Sequence, residues 1–419
     1  MDKLQIIGPS RLEGTVAAGG AKNAALPALA ASLLTEQPIE LSNLPQVRDV
    51  RTMALMLEHL GVEVAWNGNT ASLRAPDGVT SDKAPYDLVK TMRAGVLVLG
   101  PLLARLGHAR VSLPGGCAIG VRPIDQHLAG LEALGAEVTL EHGYVQVAAS
   151  RLVGTRFRFS VPTVTGTENL LMAATMAQGS TVLENCAREP EIVDLARLLS
   201  AMGAQIDGAG GETIEIQGVP SLSGTRHRVI PDRIESGTYL IGAAITGGDV
   251  LLERAEPADL APLMEKLTEA GCHVDLDAQS IRVRRDGELR ARDVVTAPHP
   301  AFPTDLQAQY MALMTQATGS TTICETIFEN RFQHVPELMR MGAEIQIDGS
   351  FARIHGPTAL SGTTVMATDL RASACLVLAG LCAEGRTLVD RIYHLDRGYE
   401  AMELKLQQLG ARVERTDSN

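Results

Sequence analysis

The sequence predicts an α/β protein of two domains, each assembled from three copies of one helix–strand unit. Three observations carry that expectation. The chain has 419 residues, far more than a single hydrophobic core usually organises. A pattern of helix, glycine and short strand recurs six times along it. The N-terminal segment, finally, reads like an interior one.

The six copies are Leu60-Gly61-Val62-Glu63-Val64, Leu134-Gly135-Ala136-Glu137-Val138, Met202-Gly203-Ala204-Gln205-Ile206, Ala270-Gly271-Cys272-His273-Val274, Met341-Gly342-Ala343-Glu344-Ile345 and Leu409-Gly410-Ala411-Arg412-Val413. Their glycines are spaced by 74, 68, 68, 71 and 68 residues, and each falls where a helix C-terminus calls for a left-handed residue. Within a unit the order is an apolar helix, a strand, a loop, an amphipathic helix, the glycine cap and a hairpin. The third unit shows it in Asn169–Ala177, Ser180–Glu184 and Glu191–Met202. Ile192, Leu195, Leu198 and Leu199 form a single stripe on the second helix, which predicts one buried face. The first helix is apolar nearly all round, which predicts burial on every side.

The sixth unit stops just after Val413, before its hairpin is complete. Residues 4–15 read like residues 352–363 and 214–225, so the N-terminal segment is expected to supply the missing strand. One domain would then be residues 1–19 plus 230–419, and the other residues 20–229. Crossings near Gly19-Gly20 and near Arg228–Pro231 would act as a hinge, with a ligand cleft between the halves.

Composition narrows the function classes. Hydrophobic residues are 45% and charged residues 21%, ordinary for a globular chain. A net charge of −12 argues against nucleic acid as a partner. The longest apolar run, Ala94–Ala104, has 11 residues, against the roughly 20 a membrane span needs. The first residues, Met1-Asp2-Lys3-Leu4-Gln5, lack the apolar stretch of a secretory signal, so a cytoplasmic location is expected. The six cysteines form no C-x-x-C pair and have no histidine cluster beside them, so reduced thiols and no metal or other cofactor are expected. Phosphate-binding P-loop, dinucleotide, zinc-protease and serine-hydrolase motifs are all missing.

Several residues depart from the repeat. Lys22 and Asn23 open an apolar helix, where free N–H groups and a lysine suit phosphate or carboxylate, though a solvated lysine fits the same pattern. Cys117 sits in a loop with Gly115, Gly116, Gly120 and Arg122. That loop reads either as a catalytic lid with an activated thiol or as plain surface. Arg371 and Arg397 could join Lys22 and Arg122 around a small polyanion, or each could serve a structural ion pair. Asp305, after the proline-stiffened Pro298–Pro303 turn, is either a helix N-cap or a general base.

These motifs together resemble the enolpyruvyl transferases of bacterial peptidoglycan synthesis. The resemblance runs along the whole chain. Besides the Lys22-Asn23 start and the Cys117 loop, it includes Tyr86–Ala94, Arg188–Asp194, Pro231–Glu235, Phe302–Asp305, Phe328–Phe332 and Ala367–Ser373. It implies two inside-out α/β barrel-like domains of three units each. It also implies the first committed step of that pathway, in which phosphoenolpyruvate is joined to the 3-hydroxyl of UDP-N-acetylglucosamine through a tetrahedral intermediate and phosphate is released. Carried over by position, Lys22, Asn23, Arg122, Arg371 and Arg397 would bind phosphoenolpyruvate. Cys117 would be the proton donor and the site of a covalent adduct, and the target of the epoxide antibiotic fosfomycin. Asp305 would take the sugar hydroxyl proton. The UDP-sugar would lie near Asn23, Arg93, Arg122, Pro123, Ile124, Asp125, Gln126, His127, Val164, Thr165, Asp305 and Ile327. Arg48 stands where the family pattern has lysine, so it is kept out of the catalytic set. No protein partner is implied.

Two other readings compete. The sister family of 3-phosphoshikimate 1-carboxyvinyltransferases shares the fold and phosphoenolpyruvate but has a different N-terminal lysine motif and no cysteine-bearing lid. A non-catalytic paralogue that senses the UDP-sugar would have lost Lys22, Cys117, Asp305 or Arg397, and all four are present.

Overall fold

The structure, a computed structural model, describes residues 2–113 and 124–416. The chain divides into two compact units. One holds the N-terminal stretch through Gly19 and the chain from Pro231 onward; the other holds the described residues between Gly20 and Ile230. Each unit has its own hydrophobic core.

Six four-stranded sheets share one order among the described residues. A short edge strand runs parallel to a second strand, which pairs antiparallel with one arm of a hairpin, and the other arm forms the far edge. In the third unit these are Arg156–Arg158, Ser180–Glu184, Thr213–Gln217 and Gln205–Asp207. In one sheet the inner hairpin position is filled by Lys3–Gly8. It pairs with Gly385–Asp390, Leu4 opposite Val389, and with Arg412–Thr416, Ile6 opposite Val413. Arg226–Arg228 runs parallel to Ile39–Ser42 within the other unit. The inner strands alternate buried and exposed residues, as Phe351–Gly356 does, so one face meets the core and the other faces water.

One helix of each unit of the repeat lies inside. Gln307–Met314 is buried at every position, Leu370–Cys382 from Arg371 to Leu381, and Val164–Ala174 from Gly166 onward. Side-chain oxygens of Thr163, Asp232 and Asp369 accept first-turn N–H groups, and this starts Val164–Ala174, the equally buried Arg233–Thr246 and Leu370–Cys382. The outer helices, such as Pro190–Ala201 with Ile192, Leu195, Leu198 and Leu199 buried, bury one stripe.

All six repeat glycines have positive φ, between 89° and 106°. Each is the left-handed residue of a Schellman turn. The glycine N–H reaches back three residues, as Gly203 does to Ser200 at 2.9 Å, and the following N–H reaches back five, as Ala204 does to Leu199 at 2.9 Å. The residue that accepts this second bond is a buried leucine in all six turns: Leu57, Leu131, Leu199, Leu267, Leu338 and Leu406. The repeat is thus a repeated helix stop with an apolar anchor one turn earlier.

Gly20 serves a different need. A Cβ there would lie 1.6 Å from the Asn43 carbonyl oxygen, so only glycine lets the chain pass at the start of the Lys22–Ala30 helix. Gly19 donates its N–H to Glu235 Oε2 at 2.8 Å, and Lys405 holds the other oxygen of that carboxylate at 2.6 Å. The end of the N-terminal segment is thereby tied to an inner and an outer helix of its own unit.

Candidate functional site

In the unit that contains it, Asp305 lies inside the short 3₁₀ turn Thr304–Leu306 and does not cap a helix. The N-cap alternative therefore fails: its carboxylate is directed at two guanidiniums instead. Oδ2 accepts from Arg371 Nε at 3.1 Å and Nη2 at 2.8 Å, and Oδ1 accepts from Arg331 Nη2 at 2.9 Å. Both arginine side chains are 4% exposed, whereas that of Asp305 is 27% exposed. The carboxylate is thus anchored from the buried side. Burial penalises the charge of Arg371, but Asp305, Tyr399 and Asp232 together more than offset this and raise the guanidinium pKa above its ordinary value. Arg371 also lies over the Tyr399 ring, 5.5 Å from its centroid.

The supports are polar groups set in apolar helices. Gln309 Nε2 has three acceptors within reach of its two hydrogens, the Asp305 carbonyl at 3.1 Å, Tyr399 Oη at 3.1 Å and Thr238 Oγ1 at 3.2 Å. Buried Glu325 accepts the Thr304 hydroxyl at 2.9 Å on one oxygen and the Ile327 and Phe328 N–H groups on the other. It joins the Asp305 turn to the Ile327 loop. His334 is buried beside Arg331 and Asp369, and its pKa is pulled down to about 4, by burial first and by Arg331 next, against the pull of Asp369. Arg397 ends the Ile392–Arg397 turn, and neighbouring Asp396 holds Arg415 at 2.7 Å.

The other unit gathers a second set. Lys22 and Asn23 are the first two residues of their helix, and Lys22 Nζ stands 3.4 Å from buried Asp49 Oδ2. Arg93 opens the Arg93–Val98 turn and acts on His127, whose pKa is lowered to about 4, chiefly by burial and secondarily by this cation. His127 Nε2 is 3.2 Å from Thr165 Oγ1, and Nδ1 is 3.0 Å from the Asn169 amide. Val164 and Thr165 open the Val164–Ala174 helix, behind the Thr163 cap. Asp125 begins the helix after Ile124. The Gln126 amide is engaged by the backbone: its oxygen accepts from Ser160 N at 2.6 Å and its nitrogen donates to the Val161 carbonyl at 3.1 Å. This side chain positions residues 160–161.

Cys117, Arg122 and Pro123 lie outside the described residues. The five described cysteines are free thiols. Burial pushes Cys186 and Cys382 up to about 12 and Cys272 to about 11, and raises Cys375 as well, which makes these four poor nucleophiles. No group of residues that could hold a metal ion occurs among those described.

Sequence reasoning assigned no role to Arg331, Asn169, Glu325 or Asp49. Asn169 and Gln309 did carry a usable signal, because an amide inside a helix that is otherwise apolar all round needs a buried partner. Arg331 carried none by itself.

Comparison with known proteins decides the family. The model described as EPSP synthase (3-phosphoshikimate 1-carboxyvinyltransferase) matches residues 6–406. The chain belongs to the enolpyruvyl transferase family. Within the enolpyruvyl transferases it is 57% identical over 416 residues to the UDP-N-acetylglucosamine 1-carboxyvinyltransferase of Magnetococcus marinus, covering 99% of both chains. It is 56% identical over 418 residues to the protein of that name from Koribacter versatilis, covering 99% of this chain and 96% of the relative. Among solved structures, the enolpyruvyl transferase NikO of Streptomyces tendae superposes with a TM-score of 0.90 at 27% identity, over 100% of this chain and 99% of that one. EPSP synthase of Acinetobacter baumannii does so at 0.76 and 18%, over the full length of both chains, which shows the shared fold.

Proposed function

We propose that this enolpyruvyl transferase moves the enolpyruvyl group of phosphoenolpyruvate to the 3-hydroxyl of UDP-N-acetylglucosamine, with release of phosphate, in the cytoplasm and in service of peptidoglycan synthesis. The observation that carries the choice of acceptor is the full-length match, at 56–57% identity, to two relatives bearing that activity in their names. No helix among the described residues is long and apolar enough to cross a membrane, in keeping with a soluble substrate pair.

The chemistry follows from the residue types. Protonation of the phosphoenolpyruvate methylene makes its central carbon cationic, and the sugar hydroxyl attacks that carbon as it loses its proton. The tetrahedral adduct then expels phosphate. In this reading Cys117 delivers the first proton and can itself add to the central carbon. Lys22, Arg122, Arg371 and Arg397 hold the phosphate and carboxylate, Lys22 as a point charge and Arg122 and Arg397 through guanidinium forks that match both groups. Asp305 takes the hydroxyl proton, and the two buried guanidiniums behind it fix its direction. Asn23, Arg93, Arg122, Pro123, Ile124, Asp125, Gln126, His127, Val164, Thr165 and Ile327, with Asp305, hold the nucleotide sugar.

The deciding experiment is phosphate release from phosphoenolpyruvate with UDP-N-acetylglucosamine, with shikimate 3-phosphate, and with no acceptor. Release with the UDP-sugar alone is expected. Release with shikimate 3-phosphate alone would move the chain to the sister activity. No release from protein that still binds the UDP-sugar would make it a sensor. The reading further predicts that fosfomycin labels Cys117 and abolishes turnover, and that Cys117→Asp resists it. Mass spectrometry checks the site, and equal labelling of the variant would point to another thiol.

A further inference from the structure

Asn169 sits within the buried part of the Val164–Ala174 helix, where its amide makes three contacts. Its Oδ1 accepts the Gly100 N–H at 2.6 Å, and its Nδ2 donates to the Val96 carbonyl at 3.0 Å. Only an oxygen can meet an N–H and only a nitrogen can meet a carbonyl, so two backbone groups fix which end of the amide is which. The remaining amide hydrogen points at His127 Nδ1, 3.0 Å away. That nitrogen must be an acceptor, and the ring proton must sit on Nε2.

The consequence passes one residue further. Nε2–H is 3.2 Å from Thr165 Oγ1, so the threonine oxygen receives a hydrogen bond from the ring. Its own hydrogen has no acceptor among the described residues, while the side chain is only half-buried. Gly100 keeps the chain of bonds compact, because a Cβ there would lie 2.4 Å from Asn169 Oδ1.

We propose that Asn169 is a positioning residue of the nucleotide-sugar site. By fixing the His127 tautomer it leaves the Thr165 hydroxyl hydrogen available for donation to a phosphate or carbonyl oxygen of the bound nucleotide sugar. This rests on the function proposed above. The relay is polarised in one direction, amide to imidazole to hydroxyl to ligand, and each member is neutral.

The test begins with the unmodified enzyme. In protein labelled with ¹⁵N at histidine, the His127 signals, assigned by their loss in His127→Gln, are expected to show a bare Nδ1 and a protonated Nε2 at pH 7.5. The opposite tautomer would overturn the inference. For the functional arm, Thr165→Val is expected to raise KM for UDP-N-acetylglucosamine about tenfold, the size of one hydrogen bond, and to leave KM for phosphoenolpyruvate in place. Thr165→Ser is expected to recover most of that loss. Asn169→Asp brings an acceptor to Nδ1, draws the proton there and should raise the same KM, with little added by a second change at Thr165. Full additivity in the double variant, or equal effects on both substrates, would reduce Asn169 to a scaffold residue. An unmodified enzyme inactive with the UDP-sugar would sink the proposed function and the ligand half of this inference together. A wrong tautomer in an active enzyme would sink the inference alone.

Discussion

Asp305 in one unit and Thr165 in the other are set in place by opposite materials. Around Asp305 the geometry is set by full charges: one carboxylate and two guanidiniums, with the arginines buried and the acid partly open. Around Thr165 it is set by neutral groups whose hydrogen directions are fixed by backbone partners. Charge holds a group firmly but leaves a large penalty when one partner is removed. A neutral relay gives up strength and gains direction, because each member can face only one way. The first fixes an ionised carboxylate at a set place, and the second suits recognition.

The sharpest way to break this contrast is Asp305→Asn. A general base contributes about 10²–10⁴-fold, so kcat should fall by that order. The thermal midpoint should fall too, because two buried guanidiniums then face a neutral amide. A variant with near-normal turnover would remove Asp305 from the chemistry.

Acid is the next lever, because each unit keeps one buried histidine neutral. His127 and His334 both have pKa values of about 4 in the folded chain, against about 6.5 when unfolded. The unfolded state binds more protons between these values, so the stability these groups contribute is complete above pH 6.5 and is lost as pH falls towards 4. Each shift corresponds to about 3 kcal/mol. Buried Glu168, raised by burial and by Glu191 and Glu189, works in the opposite sense. Urea midpoints of His127→Gln and His334→Gln, compared with the parent from pH 7 to 4.5, separate the two. Each variant should show a flatter acid loss, and a slope unchanged in both would contradict the assignment.

Arg371→Lys tests whether the forked shape of the cation matters as well as its charge. The two bonds to Asp305 Oδ2 cannot both be kept by an ammonium in that geometry. Losing one charged hydrogen bond is worth about 1.5–3 kcal/mol, so kcat/KM for phosphoenolpyruvate should fall by about 10- to 100-fold. Lysine performing as well as arginine would mean that charge alone suffices. The smallest effect is expected on the neutral side. Gly100→Ala should lower stability by about 1–3 kcal/mol through the clash with Asn169, readable as a drop in Tm.

Sequence legibility followed the range of the interaction. The glycine stops were readable because a Schellman turn is local: the leucine anchor, the glycine and the following strand lie within a few residues. The all-round apolar helices were readable for the same reason, through a single period. The short parallel edge strands, such as Arg156–Arg158, have too few residues to show alternation. The pairs that set the site were least visible. Arg331 meets Asp305 across 26 residues, Arg371 meets it across 66, and His127 meets Asn169 across 42. Nothing in local periodicity announces such pairs. Asp305 illustrates the limit: its position at the start of a helical run fits a cap, and only the guanidiniums from two distant segments decide otherwise.

The pairing of Lys3–Gly8 with Gly385–Asp390 and Arg412–Thr416 sets an order of events at the ribosome. Lys3–Gly8 is made about 380–410 residues before its two partner strands. At about 5–20 residues per second it waits roughly 20–80 s for them. Residues 20–230 need no such wait, so that unit can close while the rest is still being translated. Lys3 and Gln5 on one side of the waiting strand give its exposed edge some protection against pairing with a neighbouring nascent chain. A chain cut short before Gly385 would therefore leave Lys3–Gly8 without either partner strand.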